Sequence, residues 1–415
     1  MIGDTRLHTP SVDQLEARAS RRAWTLRAAG LTYDAANRLR WAVISLLVSS
    51  ASIANASDVT LVQVASTTNA SVSELSKSVR QGIQAAFDRL NRTHSGSYDH
   101  IKLLTIDDDF NQVKAAAAFK QVAGQPDVLG LIGCVGTPAQ IALAKDGTLV
   151  KSGLASIAPA TGADVILEPN FFPVRATYRA EVDRLLKQAA SMSQKRVALI
   201  WWNAGVGPTL SASFVEQVKA EGLNLVSNVS FDLDRDPGRQ RSNIMKAVTL
   251  ARSANPSAIV FVSAGRQGYD LVKAMRAAFP RSVGLYSISA LGWRDVIEHA
   301  GIDDAAGVMF SQAVPFPYDG VNSPLVRDYL EDLHKTSPAA EPDYASLEGY
   351  LAGRVVGLAL KRIKGNVTRE SFLAALNSIG RFESGDFSVD YGPNARVGMK
   401  RADITIIDAA GRLRR

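Results

Sequence analysis

The sequence has little of what enzymes and metalloproteins use for their chemistry. It contains one cysteine, Cys134, and five histidines scattered along the chain. A single cysteine excludes an internal disulfide and any multi-cysteine metal site. No H-E-x-x-H pair, G-K-S/T phosphate loop or G-x-S-x-G elbow is present. We therefore expect no catalytic residue, no cofactor and no metal, and we predict that the protein is not an enzyme.

A strong charge of one sign is also lacking. The formal net charge is +7, and the lysines and arginines form neither a stripe nor clusters interleaved with aromatics. Residues 1–56 hold seven arginines and four acids, so the remaining residues carry about +4. This mild excess is not typical of proteins that bind nucleic acid, and we expect no such partner.

The N-terminal apolar run, residues 41–48, is too short to span a membrane as a mature helix. It follows an arginine-rich stretch and precedes Ala54-Asn55-Ala56. This order is typical of a secretory signal peptide, so we expect residues 1–56 to be removed and the protein to be periplasmic. A retained amphipathic helix or membrane anchor is the alternative.

Short apolar runs alternate with amphipathic segments over most of the chain. The predicted buried strands are 59–64, 101–106, 128–132, 197–201, 258–262 and 283–288. The predicted helices between them are 71–92, 111–123, 138–151, 178–191, 208–222, 240–253 and 266–279. This alternation predicts an α/β fold with parallel sheets covered on both faces. A chain of 415 residues is too long for one comfortable core, so two lobes are expected.

The alternation breaks at 169–179 and at 308–318, where the sequence is extended and rich in proline. We interpret both segments as connections and not as parts of a sheet core. Helices are predicted again at 322–335, 343–363 and 367–379, and short strands within 382–411.

Two acidic segments each precede a predicted helix. Residues 107–109 are three aspartates that end a strand, and we expect them to cap the next helix, with a cation or ligand site as the alternative. Residues 232–236 resemble the start of a calcium loop, but proline and asparagine stand where that loop needs glycine and glutamate. We therefore predict a solvated turn at 232–236.

The predicted strand ends are rich in serine, threonine and glycine. Ligands of open parallel sheets bind at the carboxyl ends of strands, where such residues offer hydroxyls and free N–H groups without bulk. We predict a pocket for a small polar ligand there; the alternative is that these residues merely suit turns. The candidate ligand-binding residues from the strand ends are Thr67, Gly136, Pro138, Asn203 and Gly265.

From about residue 59 to the C-terminus the chain resembles the Leu/Ile/Val-binding proteins of branched-chain amino acid ABC transporters. The matching runs are 130–138, 157–163, 172–178, 347–354, 368–372 and 403–407. The resemblance implies a type I periplasmic-binding fold, in which two Rossmann-like lobes are joined by a three-strand hinge. It places the crossovers near Arg175, Gln312 and Ser384, with lobe 1 at 57–175 plus 313–384 and lobe 2 at 176–312 plus 385–415.

The resemblance also implies how the first lobe holds the ligand. In the family, a strand-end hydroxyl and backbone groups of the next loop hold the ligand's charged groups. Those positions fall here on Thr137 and on Ala160, Thr161 and Gly162.

The second lobe departs from the family pattern. A family aromatic falls on Val206, another falls near Ala264 or Gly265, and the acid that pairs with the ligand ammonium falls near Ser289. A buried ammonium without a partner is costly, which argues against a zwitterionic amino acid unless another acid substitutes. Tyr178 is a candidate aromatic wall. Amino acids, amides, carboxylates and aromatic acids all stay open as ligands.

The implied function is a monomeric solute-binding protein that delivers a small molecule to an inner-membrane ABC permease. The lobes would close on the ligand by hinge bending. A periplasmic sensor that serves a membrane receptor or kinase is the alternative.

Overall fold

A computed structural model describes residues 57–69, 72–94, 96–392, 396–400 and 402–415, so the predicted signal peptide lies outside the described residues. The strands are β1 (Ser57–Val64), β2 (Tyr98–Ile106), β3 (Val128–Ile132), β4 (Ala155–Ile157), β5 (Phe171–Phe172), β6 (Arg196–Trp202), β7 (Asn224–Phe231), β8 (Ala258–Val262), β9 (Gly284–Ser287), β10 (Val308–Gln312), β11 (Arg381–Ser384), β12 (Phe387–Asp390), β13 (Asp403–Ile407) and β14 (Leu413–Arg414).

The helices alternate with these strands over most of the described chain. They are α1 (Ser73–Thr93), α2 (Gln112–Ala123), α3 (Thr137–Lys145), α4 (Thr148–Ser152), α5 (Tyr178–Ser191), α6 (Gly207–Ala220), α7 (Pro237–Ser253), α8 (Gly265–Ala278), α9 (Trp293–Ala300), α10 (Ile302–Ala305), α11 (Pro324–Thr336), α12 (Tyr344–Leu360) and α13 (Arg369–Asn377). A short 3₁₀ helix spans Asp164–Leu167.

Two sheets organise the chain. The first is parallel, in the order β2-β1-β3-β4-β5. The second has the order β14-β13-β10-β9-β8-β6-β7, and its strands β6 to β10 run parallel. Only β13 and β14 join it antiparallel. This arrangement confirms the predicted α/β fold with parallel sheets in two lobes.

The central strands are buried at every position because helices cover both faces of each sheet. This holds for β3, with the sequence VLGLI, and for β8, with AIVFV. On the first sheet, residues of α1 and α12 belong to one core, while residues of α2 and α3 belong to another.

Two predictions from the alternation were wrong in detail. The two extended segments are not merely connections, because residues 308–312 form β10, fully buried between β9 and β13, and residues 171–172 form β5, the buried edge strand of the first sheet. The single helix predicted at 138–151 is two helices, because Gly147 has a φ of +71° and interrupts the helical path between α3 and α4.

The C-terminal segment divides between the two cores. Phe387, Val389 and Tyr391 pack in the core of the first sheet, and Tyr391 donates a hydrogen bond to Pro173 O (2.8 Å). The chain joins the second sheet at β13. These contacts favour a third crossover later than Ser384; the lobe limits stay predictions.

Gly82 lies where α1 packs directly against α12. A Cβ added to Gly82 would overlap the backbone oxygen of Ser346. Gly82→Ala is expected to lower the free energy of unfolding by about 1–3 kcal/mol, the usual cost of overpacking, as measured by urea unfolding. Gly124→Ala is the matched control, because its nearest atoms lie 3.5 Å away and its φ is −76°. Equal unfolding midpoints for the two variants would contradict this helix packing.

Candidate functional site

Two hydroxyls meet at the carboxyl edge of the first sheet. Thr137 begins α3 just after β3, and Thr161 follows β4; their Oγ1 atoms lie 2.7 Å apart. Thr161 is fully buried and its Oγ1 also accepts a hydrogen bond from Ala163 N (3.2 Å). Ala160 N donates to Cys134 O (2.8 Å), which fixes the second loop against the first. The structure therefore brings the two predicted first-lobe loops together.

The turn before α3 depends on Gly136, which has a φ of +117° that favours glycine. Gly136 is buried, Thr137 is half-buried and Pro138, in the first turn, is exposed. The Thr137 hydroxyl is therefore a polar side-chain group of this turn on a residue that is partly open to solvent.

Tyr178 lies behind the second loop. Its backbone N donates to Gly162 O (2.6 Å), and its ring contacts the position that a Cβ on Gly162 would occupy. The Arg175 guanidinium carbon lies 5.2 Å from the ring centroid. Burial raises the pKa of Tyr178, which keeps its hydroxyl protonated. The predicted aromatic wall is thus a buried side chain that supports the Ala160–Gly162 loop.

A buried ionic cluster joins the segment after β5 to helices of both sheets. We call it the Arg175 cluster; its members are Arg175, Glu181, Ser289, Ser311 and Glu348. The Arg175 guanidinium contacts Glu181 Oε1 (3.0 Å) and Glu348 Oε2 (3.3 Å) and donates to Ser289 Oγ (2.5 Å). Glu181 lies on α5 and Glu348 on α12, so one cation ties two helices that belong to different cores.

The Glu181 carboxylate is saturated by hydrogen bonds. It accepts from Ser289 N (2.7 Å), Ser289 Oγ (2.9 Å) and Ser311 Oγ (2.6 Å), besides Arg175. Its side chain is 0% exposed. An acid therefore does lie beside Ser289, the position where the family acid was missing, but it has no lone pair left for a ligand ammonium.

Sequence reasoning missed Glu181 and Glu348, although both left a signal. Glu181 shares the buried face of α5 with Val182, Leu185 and Leu186. Glu348 lies beside the apolar stripe of α12, a helix that is buried along most of its length. A carboxylate on an otherwise apolar helix face indicates a buried partner.

The other predicted site residues lie at strand ends with partners of their own. Thr67 is exposed and donates to Asp107 Oδ2 (2.6 Å); this bond lowers the pKa of Asp107 to about 2. Asn203 is exposed and donates to Asp232 (3.0 Å), Val206 is buried before α6, and Gly265 begins α8. Among the described residues, no hydrogen bond connects Asn203, Val206 or Gly265 to the Thr137–Thr161 pair.

The acidic segments have structural roles. Asp236 caps α7 by accepting from Arg239 N (2.8 Å), which confirms the predicted turn at 232–236. The prediction that residues 107–109 cap α2 was wrong, because Asn111 is the capping residue. In the described part of the chain, no group of three or more His, Cys, Asp or Glu side chains is placed to hold a metal ion.

Cys134 is buried just after the end of β3, with 1% of its surface exposed. Burial raises the pKa of its thiol to about 12, so the thiolate is not populated at neutral pH.

None of the described helices is long and apolar enough to cross a membrane.

Glu348 makes stability depend on pH. Burial raises the pKa of Glu348 from 4.5 to about 7, with Arg175 opposing and Glu181 adding to the shift. A raised carboxyl pKa stabilises the folded state fully below the unfolded value, and this contribution is lost as pH rises through the folded value. Wild type is therefore expected to lose on the order of 2 kcal/mol relative to Glu348→Gln between about pH 5 and about pH 8. The free energy of unfolding of each protein is measured with urea at several pH values. Equal changes with pH in both proteins would contradict this placement of Glu348.

Comparisons with known proteins agree with this architecture. Residues 63–412 match the sequence profile of a family described as periplasmic binding protein. An extracellular ligand-binding receptor of Verminephrobacter eiseniae has 22% identity and a TM-score of 0.78, over 86% of this chain and 100% of that one. A possible leucine/isoleucine/valine-binding protein of Rhodopirellula baltica has 22% identity and a TM-score of 0.76, over 87% and 97%.

A more distant neighbour carries a different ligand in its name. The fatty acid ABC transporter substrate-binding protein of Thermomonospora curvata has 16% identity and a TM-score of 0.70, over 86% of this chain and 90% of that one. At these identities the structural likeness shows the fold alone. No curated protein sequence is significantly similar to this chain.

Proposed function

The chain belongs to the periplasmic binding protein family, as its resemblance predicted, and on that premise we propose that it captures a small polar ligand and delivers it to an inner-membrane ABC permease. The observation that carries the proposal is the pair of hydroxyls of Thr137 and Thr161, 2.7 Å apart at the carboxyl edge of a parallel sheet. Two hydroxyls so close can each turn to donate to one acceptor group of a ligand.

The proposed ligand is an amino acid or a related amide or carboxylate, and the site favours the last two. A carboxylate or amide oxygen suits the donors at Thr137 and Thr161. An ammonium would need a charged carboxylate with a free oxygen. Glu181, the acid beside Ser289, already accepts four hydrogen bonds. Glu348 Oε1 has no hydrogen-bond partner among the described residues, but burial raises the pKa of Glu348 to about 7, which weakens it as a partner for a cation. An α-ammonium would therefore be held less well than a neutral or anionic group.

In the proposed mechanism the ligand first binds the first-lobe loops and then contacts the second lobe as the hinge closes. Contacts made only in the closed form shift the population toward closure. A monomer in the periplasm would then present its closed surface to the permease. The proposed lobe limits are those predicted from the sequence, except that residues 385–391 belong to lobe 1, because Phe387, Val389 and Tyr391 pack in its core.

Ligand-dependent stabilisation tests the proposal. We expect at least one compound from a panel of amino acids, amides and small carboxylates to raise the melting temperature of the purified protein in a concentration-dependent way, because a ligand of the folded state stabilises it by mass action. A flat response to the whole panel would refute a ligand of this class.

A further inference from the structure

Phe110 is an aromatic side chain that the fold exposes at the edge of the proposed site. It follows β2 at the carboxyl edge of the first sheet and is 45% exposed. One of its ring carbons lies 3.6 Å from where a Cβ on Gly136 would be. Gly136 immediately precedes Thr137, so the Phe110 ring lies next to the turn that carries the site hydroxyl.

The backbone that presents this ring is strained. Asp109 and Phe110 both have a φ of +52°, a region that bulky side chains rarely adopt. Aspartate side chains hold the turn: Asp107 Oδ1 accepts from Asp109 N (2.8 Å), and Asp108 Oδ1 accepts from Phe110 N (2.9 Å). Asp108 is itself buried, and Asn111 then caps α2. The conformation is thus imposed by neighbouring groups that fix where the ring lies.

An exposed phenylalanine in a strained turn is unfavourable on two counts. The side chain forgoes part of the free energy that full burial would give, and the backbone conformation costs free energy that a different residue or turn would avoid. Such a combination is explained if a bound group covers the ring. Because Phe110 lies beside Gly136 and Thr137, a molecule held by Thr137 and Thr161 is close enough to cover the ring.

We infer that Phe110 is an apolar wall for the ligand and that the ligand is an aromatic carboxylate, an inference that rests on the proposed function. The carboxylate accepts hydrogen bonds from Thr137 and Thr161, and its aromatic ring packs on Phe110. Aromatic pairs in offset or edge-to-face arrangements are stabilised by more than the burial of their surface alone. A flexible aliphatic chain does not gain this extra stabilisation. Glu181, the acid that accepts hydrogen bonds from Ser289, has its acceptor positions filled, which fits a ligand without an ammonium group.

Calorimetric titration of wild type and variants with benzoate, phenylacetate, propionate and hexanoate tests the inference. We expect wild type to bind an aromatic carboxylate at least 10-fold more tightly than either aliphatic one. Phe110→Ala should weaken aromatic binding by about 10-fold or more and change aliphatic binding less than 2-fold. Phe110→Tyr, which keeps the ring, should keep the affinity. Val113→Ala is the matched control, because Val113 is 78% exposed and three residues further along.

The outcomes separate this inference from the proposed function. Equal losses for aromatic and aliphatic probes in Phe110→Ala, or no loss, would overturn the role of Phe110. Binding of amides, amino acids or aliphatic acids but not of aromatic carboxylates would overturn the ligand class and leave the proposed function standing. Binding of no compound in either panel would overturn both.

Discussion

Arg175→Met is expected to lower the free energy of unfolding by about 3 kcal/mol, because it leaves two buried carboxylates without their cation. The Arg175 side chain is 8% exposed, and its partners Glu181 and Glu348 are 0% and 9% exposed, so water cannot replace the lost contacts. Protonation of Glu348 would remove part of the cost of the unpaired charge, since its pKa is already raised to about 7. Urea unfolding at about pH 8, where Glu348 is least protonated, is the appropriate measurement.

A compensated variant is the control for this prediction. Arg175→Met combined with Glu181→Gln and Glu348→Gln removes the charges together, and the glutamine at 181 can still accept a hydrogen bond from Ser289 N. This triple variant should recover most of the lost stability, because uncharged replacements of buried ion pairs are often neutral. Two results would contradict the described cluster. One is an Arg175→Met variant that is as stable as wild type; the other is a triple variant that is no more stable than Arg175→Met alone.

Thr137→Ala combined with Thr161→Val is expected to weaken binding of the stabilising ligand by about 100-fold. Two hydrogen bonds to a desolvated polar group account for roughly 3 kcal/mol, which corresponds to that factor. The change should appear in calorimetric titration with a compound found by thermal shift. Thr161 is buried and also accepts from Ala163 N, so a modest loss of stability will accompany the loss of binding.

Thr161→Ser separates binding from stability. It keeps the hydroxyl that faces Thr137 and the acceptor for Ala163 N, so it should bind within a few-fold of wild type. If the double variant binds as tightly as wild type while remaining folded, the two hydroxyls are not the ligand contacts.

The strands that the sequence placed most closely are those whose environment is the same on both faces. Residues of β3 and β8 are apolar at each position, and both strands appear where the pattern placed them. β7 gave no such signal, because it is an edge strand with polar residues such as Asn224 and Asn228. For β10, the prolines that follow it masked a buried strand, since a local pattern does not reveal pairing with the distant β13.

The first-lobe loops of the site were predictable because strand ends are local features with a known position in parallel sheets. The Arg175 cluster was not, because Arg175 and Glu348 are separated by 173 positions and meet only through the fold. Phe110 was missed for a related reason. Its exposure depends on a φ that the aspartates before it impose, and no periodicity encodes that conformation.

The central claim is that the lobes close on a ligand held by Thr137 and Thr161. Small-angle X-ray scattering of wild type and of the Thr137→Ala, Thr161→Val variant, with and without the stabilising compound, tests it most directly. We predict that the compound reduces the radius of gyration of wild type and leaves that of the variant unchanged at the same concentration. An unchanged radius for wild type at saturating ligand, or an equal reduction in both proteins, would contradict the account.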